Sequence, residues 1–207
     1  MSLALFDFDG TIIDDDSYIR FVKEYTPKWR LLIGSIIVWP MVQLYKRGRL
    51  NNQHMRPVIS WLTFAGRRED AVKALAVKYA ATVIPNYVRP EIQQKIDWHK
   101  GQGHRVVVVS ASLDVYLREW CKHQGVELVC SQLKVKNGKY TGGYVFEDCA
   151  CEYKVIGLRR LLRPEKYPTI YAYGDTPEDM AMLALADHVN YQGNDISYTE
   201  LKRQLDS

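Results

Sequence analysis

Asp7 and Asp9, in the stretch Asp7-Phe8-Asp9-Gly10-Thr11, place two carboxylates two residues apart where an apolar run that starts at Leu3 gives out. Period-two alternation points both to the same side of a strand end. One carboxylate can attack while its neighbour handles protons, provided that their environments differ, and Gly10 permits a sharp exit turn. Alone, the cluster is equally a strand end with solvated acids. Ser110 directly follows Val106-Val107-Val108-Val109, where a hydroxyl and free backbone amides at a strand-to-helix turn suit an anionic oxygen. Ser110 or Ser112 can equally cap the helix that begins near Leu113. Lys154, at the start of a later helix, offers an ammonium for neutralising charge, although a lone lysine is usually surface solvation. Asp175 and Asp179, in Gly174-Asp175-Thr176-Pro177-Glu178-Asp179, are acids four apart at another strand-to-helix turn and can hold a hard cation through oxygen ligands. Favourable acids in a first helical turn account for Glu178 and Asp179, but leave the strand-end Asp175 unexplained.

The elements that must position these groups are legible from periodicity. Leu3 to Phe8 has the pattern of a buried strand. A long helical region runs from about Ser17 to Gln102, with Ser17 expected to cap one helix, Asn51 or Asn52 another, and Glu69 to open a third. Pro27, Pro57 and Pro85 punctuate it. From Arg105 the character changes: Val106 to Val109 reads as a central parallel strand and Asp114 to His123 as a helix. Val126 to Cys130 reads as a strand, and Asn137-Gly138 signals a hairpin between Leu133-Lys134-Val135 and Tyr140-Thr141. Tyr153 to Leu162 is helical, Thr169 to Tyr173 a strand, Pro177 to Leu185 a helix and Asp187 to Tyr191 the expected last strand. Strands and helices alternating around a helical block imply an α/β fold: a doubly wound parallel sheet with a helical cap inserted after the first strand. The expected division is residues 1–15 and 86–207 as core and 16–85 as cap. In such sheets ligands bind at the carboxyl ends of the strands, where all four polar clusters fall.

Taken together and in this order, the four clusters resemble the signature motifs of the haloacid dehalogenase superfamily, over nearly the whole chain. The placement of the helical block looks like the subfamily that contains phosphoserine phosphatase. The resemblance implies a magnesium-dependent phosphomonoester hydrolase with a Rossmann-like core. It makes Asp7 the nucleophile that carries an aspartyl-phosphate and Asp9 the general acid and base. Ser110, Ala111 and Lys154 become the phosphoryl-binding residues. Magnesium is then held by Asp7, the backbone carbonyl of Asp9 and Asp175, with Asp179 as a further ligand or support. Phosphoryl transfer to an acceptor other than water uses the same intermediate and stays open. A receiver-like signalling domain also combines acids, a hydroxyl and a lysine around magnesium, but lacks a long insertion after its first strand.

The expected substrate is a small phosphorylated metabolite such as an amino-acid or alcohol phosphate. In phosphoserine phosphatases an acid shortly after the first motif and a cap arginine hold the amino acid, and Asp16 and Arg56 stand near comparable places. Ser110-Ala111-Ser112 departs from that enzyme, which has a serine followed by glycines. A second substrate reading comes from Leu31 to Val42, an apolar stretch preceded by Lys28 and Arg30 and followed by Lys46, Arg47 and Arg49. Such a layout suits an anionic membrane surface and resembles bacterial phosphatidylglycerophosphate phosphatases of the same subfamily. A helix buried in the cap or in a dimer contact explains it equally well.

Bulk composition sets the outer limits. The chain has 207 residues, 47% hydrophobic and 25% charged, which is ordinary for a globular protein. The net charge of +4 is too mild to argue for nucleic acid. Cys121, Cys130, Cys149 and Cys151 form neither a disulfide framework nor a zinc pattern and read as reduced thiols. Leu31 to Val42 is shorter than the roughly 20 residues needed to span a bilayer and contains Pro40. The N-terminus lacks the pattern of a signal peptide. A cytoplasmic location is expected, with contact at the inner membrane face left open. The five histidines show no ligand spacing.

Overall fold

The computed structural model describes residues 1–49 and 52–205. Asn51, one of the two expected cap residues, therefore lies outside the described residues.

Five parallel strands and one antiparallel edge strand form the main sheet. They are β1 (Leu3–Phe6), β2 (Arg105–Leu113), β3 (Glu127–Ser131), then a separate hairpin of β4 (Leu133–Lys136) and β5 (Lys139–Tyr144), followed by β6 (Ile170–Gly174), β7 (His188–Tyr191) and β8 (Asn194–Ile196). The sheet order is β3-β2-β1-β6-β7-β8, with β7 and β8 antiparallel. The chain thus builds outward from β1 in one direction, then restarts at β6 and builds the other way. The switch point lies between β1 and β6, where Leu3 pairs with Ile170 and Phe6 with Tyr173. That is where doubly wound sheets open a crevice for ligands.

Alternation along β1 explains why both faces are covered. Ala4 and Phe6 join a core with Val106, Val108 and the helical block, while Leu3 and Leu5 join Val107, Val109 and Leu158 on the opposite face. Between β1 and β2 stand α1 (Ser17–Tyr25), α2 (Lys28–Lys46), α3 (Asn52–Phe64), α4 (Glu69–Thr82) and α5 (Pro90–Gly101). After β2 come α6 (Asp114–Gln124), α7 (Glu152–Leu161), the short α8 (Met180–Leu183) and α9 (Tyr198–Leu205). The chain leaves and re-enters the core side by side: Asp14 donates its amide to Tyr87 at 3.0 Å and Arg89 to Ile12 at 2.9 Å. An aromatic cluster then ties the inserted helices to the core, with Phe21 5.1 Å from Tyr79 and Tyr79 5.2 Å from Tyr116.

Several local expectations change. Asp16, not Ser17, caps α1, because its carboxylate accepts the Ile19 amide while its own backbone stays extended. Pro40 and Pro57 lie inside α2 and α3 rather than breaking them. Ser110, Ala111 and Ser112 belong to β2 instead of a turn, in a segment where the register against β3 shifts between Ser110 and Leu113. Such a bulge re-aims side chains without ending the strand. The stretch expected as one helix from Pro177 is a 3-10 turn, Pro177–Asp179, followed by α8. β7 is not the last strand: Gln192 and Gly193 both take positive φ, at 52° and 82°, and form the tight hairpin to β8.

Candidate active site

Each sequence cluster arrives at the carboxyl edge of the sheet on its own element. Asp7 directly follows β1, and its amide is fixed by the Tyr173 carbonyl at 2.9 Å. Asp175 directly follows β6, the neighbouring strand. Between them lies Gly10, with φ of 78°. A Cβ at that position would sit 2.1 Å from Asp175 Oδ2, so only glycine lets the turn pass so close.

Lys154, in the first turn of α7, reaches into this crevice. Its ammonium donates to Asp7 Oδ1 and to Asp179 Oδ1, both at 2.5 Å. All three groups are buried. Asp179 turns its other oxygen back on its own loop, accepting the amides of Asp175 and Thr176 at 3.0 Å each and the Thr176 hydroxyl at 3.2 Å. Asp175 accepts the Thr11 hydroxyl at 3.2 Å. Asp7, Asp175 and Asp179 each offer a carboxylate oxygen within 4.8 Å of the others. An all-oxygen set of three acids suits a hard divalent cation.

Burial dominates the electrostatics. It pushes the Asp7 carboxyl well above the usual range, the Asp179 charge adds to this, and Lys154 opposes it. Burial likewise disfavours the Lys154 charge, but Asp7 and Asp179 more than offset it and hold the ammonium protonated above its ordinary range. Asp179 is desolvated too, yet Lys154 and the turn amides keep its carboxyl below the usual value. Asp175 is raised to about 6, mainly by burial and then by Asp179.

Asp9 occupies a different environment from Asp7, although the two are separated by a single residue. Its carboxylate accepts the Ser17 amide at 2.7 Å and the Ser112 hydroxyl. Burial, and then the Asp16 charge, raise it to about 6, with the Ser112 and Ser17 hydrogen bonds pulling the other way. Ser17 in turn is held by Ser112 Oγ and the Tyr116 hydroxyl, each at 3.2 Å, and its carbonyl by the Tyr79 hydroxyl at 3.0 Å. Ser112, expected only as a helix cap, thus orients Asp9. The signal was present in Ser110-Ala111-Ser112, since period two puts both hydroxyls on one face. Ser110 is buried, and its Oγ accepts the Ser112 amide at 3.0 Å.

The two expected substrate residues behave differently. Asp16 is exposed and caps α1, and its charge reaches Asp9. Arg56, on α3, spans to the core, donating to Glu178 at 3.0 Å and Asp148 at 3.3 Å. Asp148 is buried and also accepts the Ser131 hydroxyl at 2.7 Å. Asp148 carried no chemical signal in the sequence, and Glu178 read there only as a favourable acid in a first helical turn. All four cysteines are free thiols.

The chain is similar to protein CicA of Caulobacter vibrioides, at 32% identity over 197 residues that cover 92% of this chain and 85% of that protein. Its fold is similar to a structure from Bordetella pertussis Tohama I described as of unknown function, with a TM-score of 0.78, 19% identity, and coverage of 91% of this chain and 88% of that one. A substrate-bound phosphoserine phosphatase superposes with a TM-score of 0.64 at 20% identity, over 92% of this chain and 85% of that one. The haloacid dehalogenase-like hydrolase family matches residues 4–184, which spans every cluster described above, and the chain belongs to that family of hydrolases.

Proposed function

We propose that the chain is a magnesium-dependent phosphomonoester phosphatase that works through an aspartyl-phosphate on Asp7. The observation that carries this reading is the division of labour between two nearby acids. Asp7 is locked against the Lys154 ammonium beside Asp175 and Asp179, whereas Asp9 is held apart by Ser17 and Ser112.

Lys154 holds Asp7 Oδ1 and leaves Oδ2 to attack phosphorus in line, while its positive charge offsets the negative charge of the phosphoryl oxygens. The ester P–O bond breaks as Asp9, protonated, gives its proton to the leaving oxygen. Asp9, now a carboxylate, takes a proton from water, whose oxygen attacks the aspartyl-phosphate and frees phosphate and Asp7. A value near 6 keeps both forms of Asp9 accessible near neutrality, which a group that alternates between acid and base requires. Ser110 and the backbone at Ala111 contribute the remaining phosphoryl contacts. Asp7, Asp175 and the Asp9 carbonyl would hold magnesium, which supplies neutralisation of the phosphoryl charge. Asp179, with both oxygens already engaged, braces Lys154 and the Asp175 loop. Residues 16–85 form the cap over this site.

The substrate class is a small phosphorylated metabolite, an amino-acid or alcohol phosphate, with Asp16 and Arg56 at the cap side of the crevice. A phospholipid monoester such as phosphatidylglycerophosphate is the second reading, favoured by the exposed apolar residues of α2. The test is phosphate release from a panel holding both classes, with magnesium or with chelator, by the native chain and by Asp7→Asn. Magnesium-dependent release that disappears in Asp7→Asn is expected. Turnover retained by that variant refutes the assignment, and transfer to an added alcohol in preference to water would make the chain a phosphotransferase.

A further inference from the structure

Helix α2 is apolar nearly all round, yet the protein covers only one side of it. Such a helix is normally buried from every direction. Here Gly34 faces Leu62 of α3, and the Arg30 guanidinium donates to the carbonyls of Leu62, Thr63 and Ala65 at 3.2, 3.3 and 2.9 Å. These contacts fix α2 along α3. On the other side Trp29, Leu32, Ile36 and Trp39 stand exposed at 60, 67, 70 and 65%. No charged side chain lies from Leu31 to Tyr45, and the exposed Ser35 hydroxyl donates to its own helix at Leu32 O, 2.7 Å away. At about 1.5 Å per residue the 19-residue helix is roughly 28 Å long. Among the described residues no helix is long and apolar enough to cross a membrane.

Charge selects among the occupants of this face. No Asp or Glu occurs between Glu24 and Glu69, a stretch that contains eight Lys and Arg residues. Lys28 stands exposed at one end of α2, with Lys46, Arg47 and Arg49 exposed at and beyond the other. Trp29 near the start of this helix, Trp39 within it and Tyr45 near its end are exposed amphipathic rings of the kind found at a membrane–water boundary. A second copy of the chain docking here by a two-fold contact would bring basic segments of the same sign together. An anionic lipid headgroup layer meets both demands at once, with acyl chains for the apolar side chains and headgroup charge for the flanking cations.

We propose that α2 lies in the plane of an anionic lipid bilayer and docks the protein on it through Trp29, Leu32, Ile36 and Trp39. The inference concerns location and does not depend on Asp7 or on any substrate. The α3 helix that α2 grips also carries Arg56, so docking places the bilayer on the cap side of the catalytic crevice.

The experiment is co-sedimentation with vesicles of phosphatidylcholine mixed with phosphatidylglycerol, beside pure phosphatidylcholine vesicles, using the full chain and its Asp7→Asn form. Both forms are expected to sediment with the anionic vesicles, more weakly at high salt, with a blue shift of tryptophan emission. Leu32→Glu and Ile36→Glu should each lower partitioning about tenfold or more, while keeping the thermal unfolding midpoint and turnover of a soluble phosphomonoester. Failure of the native chain to sediment overturns the proposal, as does equal binding to neutral vesicles or undiminished binding by both variants. A native dimer that Ile36→Glu dissociates in lipid-free solution also overturns it, since the face would then belong to a second copy.

Discussion

Replacing Lys154 by methionine removes the ammonium that the buried Asp7 and Asp179 carboxylates share. The side chain of Lys154 is only 3% exposed, and those of Asp7 and Asp179 are 9% and 0% exposed. Methionine fills a similar volume, so the change is chiefly electrostatic. Asp179 retains two amides and the Thr176 hydroxyl, but Asp7 loses the donor on Oδ1 and faces Asp175 and Asp179 across less than 5 Å. Removing one partner of a buried ion pair costs about 3–5 kcal/mol, far above the ~0–1 kcal/mol of an exposed pair. The assay is urea unfolding of the native chain and Lys154→Met in chelator, then again with saturating magnesium. A loss of about 3–5 kcal/mol is expected in chelator, and a smaller one with magnesium, because a divalent cation neutralises the same acids. With magnesium, Lys154→Met should lose the turnover that the native chain shows. A deficit below about 1 kcal/mol in chelator would show that Lys154 behaves as a surface cation. A deficit unchanged by magnesium would show that Asp7 and Asp175 do not hold a cation beside Lys154.

Gly10→Ala should lose about 1–2 kcal/mol from its left-handed backbone alone, and more from the 2.1 Å approach to Asp175; wild-type melting and activity would contradict the close packing. Arg56→Ala leaves Asp148 short of a charged partner, so a loss of about 2 kcal/mol is expected. Adding Asp148→Asn should then cost less than the sum of the single changes, and strict additivity would deny the Arg56–Asp148 coupling. His99 is buried and bonded to His104 and the Tyr173 hydroxyl, and burial, then His104, depress it to about 4 from 6.5. Between those values the unfolded chain binds the extra proton, so this part of the stability is full above pH 6.5 and fades as pH falls toward 4. The contribution lost by about pH 5 is on the order of 2 kcal/mol. His99→Gln should flatten that slope in urea titrations at successive pH values, and an identical slope would contradict a neutral buried imidazole.

The sequence by itself determined the order of elements and the identity of most chemical groups. An uninterrupted valine run or a Gly-Asp-Thr-Pro turn declares its local structure through periodicity and backbone preference, which act within a few residues. Asp7 and Asp175 were legible as candidates because each directly follows a strand, with Asp9 two residues on, and a parallel sheet sends those ends to one edge; Lys154, in the first turn of a helix, gained meaning only beside them. Small errors at element ends had local causes: Asp16 outcompeted Ser17 as cap, and Gln192-Gly193 made a hairpin turn without the usual asparagine.

Only the tertiary structure decided which groups touch. It brought Lys154 between Asp7 and Asp179, turned Ser112 from an expected helix cap toward Asp9, and gave Arg56 the partners Asp148 and Glu178. It also left the outer face of α2 uncovered, where the sequence allowed burial just as well. These outcomes depend on contacts between residues as many as 147 positions apart. Residue type states what a side chain can do, but burial and neighbouring charge set its protonation, and both exist only once the chain has closed on itself.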